Sequence, residues 1–288
     1  MITVPKKEKS LNDLKRGSSM ITSTNNERVR RIAAYNEKSK ARREDDVFVI
    51  EGMKMLREAP VLQVREVYVT DRFVRCASED DKEILWRYGA EEVSDDVMKK
   101  MSDTQTPQGV LAVVSQYHYT KEEVFEGYNK DDEGALPLML VLENIQDPGN
   151  LGTMLRSGEG AGVTGVILSK GCADIYNPKV VRSTMGSIFR VPFMYVEDVP
   201  AVLKELSENG IHTYAAHLKG QKNYDEFDYR EPTAFLIGNE GNGLTKETAD
   251  AAEIYVLIPM KGEVESMNAA TSSAILTFEA SRQRRVKR

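Results

Sequence analysis

The 288-residue sequence lacks long hydrophobic runs and contains only two cysteines. A membrane-spanning helix needs about 20 consecutive apolar residues, and no segment approaches that length. Cys76 and Cys172 lie far apart in the chain, and neither belongs to a CxxC pair. They predict neither a disulfide framework nor a zinc site, so we expect both to be reduced packing residues in a soluble globular protein.

The N-terminal segment MITVPKKEKSLNDLKRG is basic but has no apolar stretch of the kind found in secretory signals. We therefore expect a cytoplasmic protein. The polar, charged composition of residues 1–24 predicts a flexible basic N-terminus.

A dinucleotide-binding fingerprint is also missing in the context it requires. GAGVTG, residues 160–165, has the GxGxxG spacing. Such a motif must follow a strand and open a helix, whereas these glycines end a predicted helix and lead into a strand. We interpret them as a helix C-cap and a tight connection, and we exclude a nucleotide-binding oxidoreductase on that ground.

The net charge of −6 is unevenly distributed along the chain. Residues 1–43 carry a charge of +8, residues 281–288 carry +5, and the central region carries −19. Binding to nucleic acid depends on local neutralisation of phosphates, so two basic ends on an acidic body are compatible with RNA or DNA. Solvated tails explain the same pattern, and charge alone leaves both interpretations open.

Two α/β regions follow one another in the sequence. Residues 25–43 predict a helix with an Asn cap, followed by VFVI, EGMKMLREA, VREVYVT and finally GVLAVVSQ, which ends at residue 116. Residues 117–136 are acidic and without strong periodicity, and we interpret them as a linker in which a short helix is compatible with the pattern. This predicts a small α/β domain over residues 25–116.

From residue 137 onward, short apolar strands alternate with helices of about 10 to 15 residues, a pattern typical of a parallel sheet covered on both faces. Ligands of such sheets bind beyond the carboxyl ends of the strands. Three predicted strands end in the polar, turn-rich sequences ENIQDPGN, IGNEGNG and IPMKGEVESMN. We place the functional site there.

Each of these three motifs also has an ordinary structural explanation. Asp147-Pro148-Gly149-Asn150 is typical of a helix start, with Arg156 a few residues later as a solvated side chain. Glu240 stands between glycines that a tight turn explains. Ser266 or Asn268 is suited to cap the last helix.

In order and spacing, however, NIQDPGNLGTMLRSGEGAG, FLIGNEGNGL and IPMKGEVESMNAATSSAILTFEASRQR together resemble the three motifs of the SpoU (TrmH) family of RNA ribose 2'-O-methyltransferases. The resemblance covers about residues 137–288 and is greatest to 23S rRNA enzymes, including the thiostrepton-resistance type. Residues 25–116, including FVIEGMKMLREA, resemble the L30e-like RNA-binding domain that precedes the catalytic domain in many members. Met267 and Ala269 stand where the family more often has Leu and Val.

The resemblance implies a SPOUT-type parallel sheet with a trefoil knot, a homodimer with shared active sites, and S-adenosylmethionine (SAM) as cofactor, without a metal. By motif position, Gly238, Ile258 and Met267 would line the SAM pocket. Arg156 would be the catalytic arginine, and Asn150, Glu240, Ser266 and Asn268 would position it, the ribose or the cofactor. Because a guanidinium is a poor base, we expect Arg156 to bind the adjacent phosphate and stabilise the developing alkoxide.

Substrate capture would belong to the N-terminal domain and to the basic segment that includes Arg28, Arg30, Arg31, Arg42 and Arg43. The predicted substrate is large-subunit (23S) rRNA. Two alternatives stay open: a tRNA ribose 2'-O-methyltransferase, and an RNA-binding ribosome-assembly protein that has lost its catalytic activity. The second predicts a disrupted motif, whereas Asn150, Arg156, Glu240, Ser266 and Asn268 are all present.

Overall fold

The computed structural model describes residues 20–126, 136–264 and 266–286. The chain divides into two compact units between Gln116 and Tyr117. Within the described residues, no helix is both long and apolar enough to cross a membrane.

The N-terminal unit has one mixed sheet surrounded by helices. In its described part the helices are α1 (Glu27–Glu37), α2 (Ser39–Asp45), α3 (Met53–Glu58), α4 (Asp71–Cys76), α5 (Glu79–Arg87) and α6 (Asp95–Met101), and the strands are β1 (Val47–Glu51), β2 (Val64–Thr70), β3 (Glu91–Val93) and β4 (Val110–Ser115). The strand order is β1-β4-β2-β3. Strand β4 is antiparallel to β1 and β2, whereas β3 is parallel to β2. Apolar residues of α1, α6 and the sheet form the core of this unit.

The prediction of one continuous helix over residues 25–43 is wrong. The helical segment begins as expected, with Asn26 as the N-cap, but Lys38 adopts an extended conformation and separates α1 from α2. The buried guanidinium of Arg42 donates a hydrogen bond to the carbonyl of Tyr35. This bond satisfies a carbonyl at the end of α1, so the chain can change direction there at little cost.

The predicted flexible N-terminus is ordered at its end. Ile21 forms a parallel bridge with Val93, and its backbone N–H donates to the carbonyl of Glu92 across 3.0 Å. Residues 1–19 lie outside the described residues.

The C-terminal unit has a seven-stranded sheet. Its described helices are α7 (Lys121–Glu126), α8 (Pro148–Ala161), α9 (Pro178–Thr184), α10 (Val199–Glu208), α11 (Lys246–Ala251) and α12 (Ala269–Arg285), and its strands are β5 (Leu138–Leu142), β6 (Gly165–Ser169), β7 (Phe193–Val196), β8 (His212–Ala216), β9 (Lys222–Asn223), β10 (Thr233–Ile237) and β11 (Ile254–Leu257). The order is β7-β6-β5-β10-β8-β11-β9, and every pairing is parallel. This confirms the predicted parallel α/β sheet.

The expected linker over residues 117–136 is wrong for its first part. Helix α7 packs on the C-terminal unit, where Val124 is fully buried and Phe125 is 9% exposed. A side chain at Gly165 would lie 2.2 Å from the carbonyl oxygen of Val124, so α7 rests directly on β6 at a glycine. Residues 127–135 lie outside the described residues.

The helical segment after β6 is short. Helix α9 ends at Thr184 because Met185 and Gly186 both adopt left-handed conformations, with φ of 50° and 103°. A short 3₁₀ turn over Ser187–Phe189 follows. As predicted, GAGVTG ends a helix, since Gly162 is the left-handed C-cap of α8, with φ of 91°.

Candidate active site

The three polar motifs follow β5, β10 and β11, which run in the same direction within one sheet. Strands β5 and β10 pair with Leu142 opposite Ile237, so the loops after them begin at the same level. This brings together segments that are about 90 residues apart in the chain. Their side chains meet at one edge of the C-terminal unit.

A chain of two hydrogen bonds joins the three motifs. The amide nitrogen Nδ2 of Asn150 donates to Oε1 of Glu240 across 2.8 Å. The Nδ2 of Asn268 donates to Oδ1 of Asn150 across 3.0 Å. Asn150 therefore uses both ends of its amide, which fixes the orientation of its side chain.

Local capping positions both asparagines. Asp147 caps α8 by accepting from the backbone N–H of Asn150 across 2.8 Å, with Pro148 as the first helical residue. That hydrogen bond, together with the Lys179 ammonium, lowers the pKa of Asp147 below its ordinary value. Asn268 caps α12, because its Oδ1 accepts from the backbone N–H groups of Ala270 and Thr271. Its Nδ2 therefore remains available to Asn150.

The loop over residues 238–244 is organised by Asn239. Its Oδ1 accepts from the backbone N–H groups of Gly241 and Asn242, and its Nδ2 donates to the carbonyl of Asn144 across 2.9 Å. Its backbone exchanges two hydrogen bonds with Gly243. The loop that carries Glu240 is therefore a closed, hydrogen-bonded turn rather than a loose connection.

This loop forms one wall of a cavity of about 340 Å³, which we call the cofactor cavity because the residues predicted to bind SAM line it. The ends of β8 and β11 and the start of α12 form the other walls. Five residues predicted from the motifs line it: Gly238, Glu240, Ile258, Ser266 and Met267. The volume is within the range of small-molecule sites, and the glycines leave backbone groups accessible to a ligand.

The sequence analysis missed His217, which also lines the cofactor cavity. Its ring stacks on Tyr255 with centroids 4.7 Å apart, and its Nδ1 accepts from the backbone N–H of Lys219 across 3.0 Å. Burial lowers the pKa of His217 below its ordinary value, and Lys219 adds to the effect. The neutral ring therefore carries its proton on Nε2 and can donate there to a ligand. Its position directly after β8 could have identified it from the sequence, because ligands of parallel sheets bind beyond the carboxyl ends of the strands.

Glu143, at the carboxyl end of β5, was missed as well. It is 5% exposed, and it accepts from the backbone N–H and the hydroxyl of Thr245 and from the hydroxyl of Thr248. These bonds tie β5 to the N-terminus of α11, directly after the loop of Glu240. Nothing in the sequence distinguished Glu143 from the exposed acidic residues of the chain.

The side chain of Arg156 lies on the exposed face of α8 and makes no hydrogen bond or ion pair with another described residue. It follows Asn150 by six residues, which places it about 9 Å further along the helix and about 120° around it. Of the predicted catalytic set, Asn150, Glu240 and Asn268 are joined, and Ser266 lines the cavity beside Glu240. Arg156 faces outward from α8.

The five arginines predicted to bind RNA have different environments. Arg28 pairs with Glu91 across 2.6 Å, and Arg31 pairs with Glu66 across 2.5 Å. Arg42 is 3% exposed, so it packs in the unit rather than lying on its surface. Arg30 and Arg43 are exposed.

The cavity fits the predicted cofactor by its wall chemistry. A Cβ at Gly238 would lie 2.1 Å from backbone atoms of Gly243 and Leu244, and one at Gly220 would lie 2.7 Å from the backbone nitrogen of Leu257. Only glycine allows these close backbone approaches, and the one at Gly238 closes the loop that forms a wall of the cavity. In the described ranges, no three His, Cys, Asp or Glu side chains gather as metal ligands would.

Comparisons with known proteins agree with this geometry. The SpoU rRNA methylase family matches residues 137–278, and an MRM3-like substrate-binding domain matches residues 26–112. The 23S rRNA (guanosine(2553)-2'-O)-methyltransferase RlmP of Bacillus subtilis is 31% identical over 261 residues, which cover 90% of this chain and 97% of that protein. The chain belongs to the SpoU methylase family.

Solved structures of this family superpose on most of the chain. The SpoU methyltransferase AviRb from Streptomyces viridochromogenes, in complex with AdoMet, matches with a TM-score of 0.79 and 27% identity over 91% of this chain and all of that one. An AdoMet-bound rRNA methyltransferase from Sinorhizobium meliloti matches with a TM-score of 0.77 and 29% identity over 92% of this chain and 97% of that one. The chain is thus a SAM-dependent RNA ribose 2'-O-methyltransferase, as the motifs predicted.

Proposed function

We propose that the chain methylates a ribose 2'-hydroxyl in 23S rRNA of the large ribosomal subunit. The observation that carries this proposal is the match to RlmP, which extends over both units instead of the catalytic unit alone. The substrate-binding match over residues 26–112 points the same way, because that unit decides which RNA reaches the cavity. Cytoplasmic location follows from such a substrate and stays a prediction.

We assign the predicted domains as follows. Residues 25–116 capture RNA, and residues 137–288 bind SAM and catalyse transfer, with α7 as part of the catalytic unit. The trefoil knot in the C-terminal part remains a prediction from the family. On the RNA-capturing unit, the exposed Arg30 and Arg43 are the best placed of the predicted arginines for phosphate contacts. Arg42 is removed from that set because its guanidinium is buried.

Some of the predicted site residues would bind the cofactor, and the others would bind the RNA. When bound, SAM supplies the electrophilic methyl group. Gly238, Ile258 and Met267 would hold it, and the Asn150–Glu240–Asn268 chain would orient the ribose beside it. A guanidinium is in general a poor base, so Arg156 would bind the adjacent phosphate and stabilise the developing alkoxide.

The position of Arg156 supports the predicted homodimer with shared active sites. Its face of α8 also carries Thr153 and Gly160, both exposed, at helical spacing. A methyl group at Gly160 would lie 3.7 Å from Cζ of Phe278 on α12, and Phe278 is 46% exposed. A second copy that covers this apolar and basic face would enclose Arg156 and complete a reaction centre.

The test is tritium transfer from methyl-labelled SAM to rRNA and, separately, to tRNA, both isolated from cells that lack the protein. Digestion and nucleoside mass spectrometry should find the label in a 2'-O-methyl nucleoside of 23S rRNA. Label in tRNA alone would favour the tRNA enzyme. SAM binding without label in rRNA, tRNA or isolated ribosomal particles would favour the RNA-binding assembly protein.

The Arg156→Ala variant separates the two halves of the site. It should lose most methyl transfer but bind SAM as the unmodified protein does in calorimetry, because Arg156 acts on the RNA. Loss of SAM binding with the circular dichroism spectrum unchanged would contradict that assignment.

A further inference from the structure

A second cavity lies on the other side of the loop that carries Glu240. It measures about 280 Å³, and we call it the amide pocket because Asn144, Gln146, Asn239 and Asn242 line it. Asn239 and Asn242 border the cofactor cavity as well, so one loop separates the two cavities. The amide pocket is therefore next to the cofactor cavity. It lies between the loop that carries Glu240 and the segment that precedes Asp147.

Hydrogen bonds fix the part of the amide pocket's wall that Asn144 forms. Asn144 adopts a left-handed conformation, with φ of 55°. Its backbone N–H donates a hydrogen bond to Ser169 Oγ across 2.9 Å, which holds this conformation in place. Its carbonyl accepts from Nδ2 of Asn239, and its Oδ1 accepts from Ser169 Oγ across 3.3 Å. The loops on either side of the pocket are thus held at a fixed separation.

The amide pocket has unused hydrogen-bonding capacity. The side chains of Gln146 and Asn242 and the Nδ2 of Asn144 make no hydrogen bond with another described residue. Each Asn or Gln amide offers donors and an acceptor side by side. Leu244 adds an apolar contact to the wall.

The lining also identifies the chemistry of its ligand. It contains no charged side chain, so a phosphate would find no cation there to pair with. A neutral planar group with donors and acceptors on its edge matches amides and a leucine better. Among the parts of an RNA nucleotide, that group is the base.

The pocket is also adjacent to the place where the ribose must react. Glu240 belongs to the loop between the two cavities, and its carboxylate accepts from Asn150 at the start of α8. A nucleotide whose ribose lies at this hydrogen bond has its base one glycosidic bond away. We propose that the amide pocket receives the base of the methylated nucleotide, with Gln146 and Asn242 reading its hydrogen-bonding edge.

This inference rests on the proposed function, because it requires an RNA substrate. It means that the catalytic unit itself contributes to base preference, through an unstacked base of the kind that RNA-binding sites read. Gln146 is the sharper probe, since it lines the amide pocket alone, whereas Asn242 lines both cavities.

The experiment uses the full-length chain and four short RNAs. They contain the methylation site mapped on rRNA from cells that lack the protein, and they differ only in the base of the target nucleotide. We expect the unmodified protein to prefer one base, and Gln146→Ala to reduce that preference in kcat/KM by about 10- to 100-fold. Gln146→Glu, which replaces the amide donor with an acceptor, should change the order of preference. Calorimetric SAM binding should stay within about twofold in both variants, since Gln146 does not line the cofactor cavity.

The matched control is Gln221→Ala, which removes an exposed glutamine of the same unit that lines neither cavity. It should leave both the preference and SAM binding unchanged. A protein that methylates all four RNAs equally would overturn the base pocket but not the proposed function. Equal losses on all four RNAs in Gln146→Ala would also overturn it, since they would indicate loop positioning. No transfer to whole rRNA, the step that maps the site, would refute the proposed function and the base pocket together.

Discussion

The side chains of Asn150 and Glu240 are joined by a hydrogen bond of 2.8 Å, although 90 positions separate them in the chain. Asn150 stands in the first turn of α8, and Glu240 in the loop after β10. Since β5 and β10 are neighbours in a parallel sheet, their carboxyl ends bring the two residues together. This bond, with Asn268 on the other side of Asn150, connects all three polar motifs.

Replacing Asn150 with aspartate should make methyl transfer depend on pH in a new way. The variant places two carboxylates at hydrogen-bonding distance, and ionising both is costly. The pair should therefore take up one shared proton as the pH falls. We expect transfer to be weak near about pH 8 and to recover in part near about pH 6. Asn150→Ala, which adds no charge, should lower transfer equally across that range. A pH–rate profile of both variants checks this, and parallel profiles would contradict it.

Gly238→Ala should weaken SAM binding at least tenfold while most of the fold stays intact. Its Cβ would lie 2.1 Å from backbone atoms of Gly243 and Leu244, which cannot move aside without opening the loop. Gly262→Ala is the control, because Gly262 does not line the cavity and the nearest atom to its Cβ would be the backbone nitrogen of Val264 at 4.0 Å. Calorimetry with SAM should show at least a tenfold loss of affinity for the first variant and about none for the second. Equal affinities would show that the loop is not packed as described.

Local sequence signals were sufficient for most of the catalytic unit. Apolar runs marked β5, β6, β8 and β10, and capping residues such as Asp147 and Asn268 marked the starts of α8 and α12. The polar motifs at strand ends were sufficient to predict that their side chains meet at the candidate site, because parallel strands share one carboxyl edge. The glycines of GAGVTG were interpreted correctly because their order relative to helix and strand decides their role.

The features that could not be predicted from the sequence depend on contacts between residues far apart in the chain. Helix α7 looks like part of an acidic linker, but Val124 is buried because α7 packs on β6 at Gly165 and against the core of the C-terminal unit. The left-handed conformation of Met185 has no local signal, since methionine rarely adopts it. Glu143 looks like any acidic residue until Thr245 and Thr248, more than 100 positions away, supply its hydrogen bonds.

Glu143→Ala should destabilise the protein by about 2 to 4 kcal/mol. The change leaves the Thr245 N–H and the hydroxyls of Thr245 and Thr248 without their buried acceptor. Glu247→Ala, an exposed acidic residue in the first turn of the same helix, should cost less than about 1 kcal/mol. Urea unfolding of the two variants measures the difference. Similar midpoints for both would show that Glu143 does not hold α11.

Phe278→Glu should convert the predicted dimer into a monomer. The side chain is 46% exposed beside Gly160, and a charge there would have to be desolvated in any interface between two copies. Trp86→Glu provides the control, because Trp86 is 42% exposed but belongs to the N-terminal unit. Light scattering at micromolar concentration should give twice the chain mass for the control and the chain mass for Phe278→Glu. Methyl transfer should fall with the dimer, and a dimeric Phe278→Glu would place the interface elsewhere.

Glu159 should contribute stability that is lost in acid. Burial raises the pKa of this carboxyl, but hydrogen bonds from Arg190 and Ser187 outweigh burial and leave the pKa below its ordinary value of 4.5. The unfolded chain therefore binds the proton more readily, so the contribution is complete above about pH 4.5 and declines as the pH falls from there through the lower, folded-state pKa. Glu159→Gln should lower the urea midpoint at about pH 7. Between about pH 5 and pH 3, this variant should lose less unfolding free energy than the unmodified protein does. Glu208→Gln, which removes an exposed carboxylate 3.8 Å from Lys204, should change neither. If Glu159→Gln and the unmodified protein lost stability in parallel over that range, the hydrogen bonds from Ser187 and Arg190 would not hold α8 to the segment after α9.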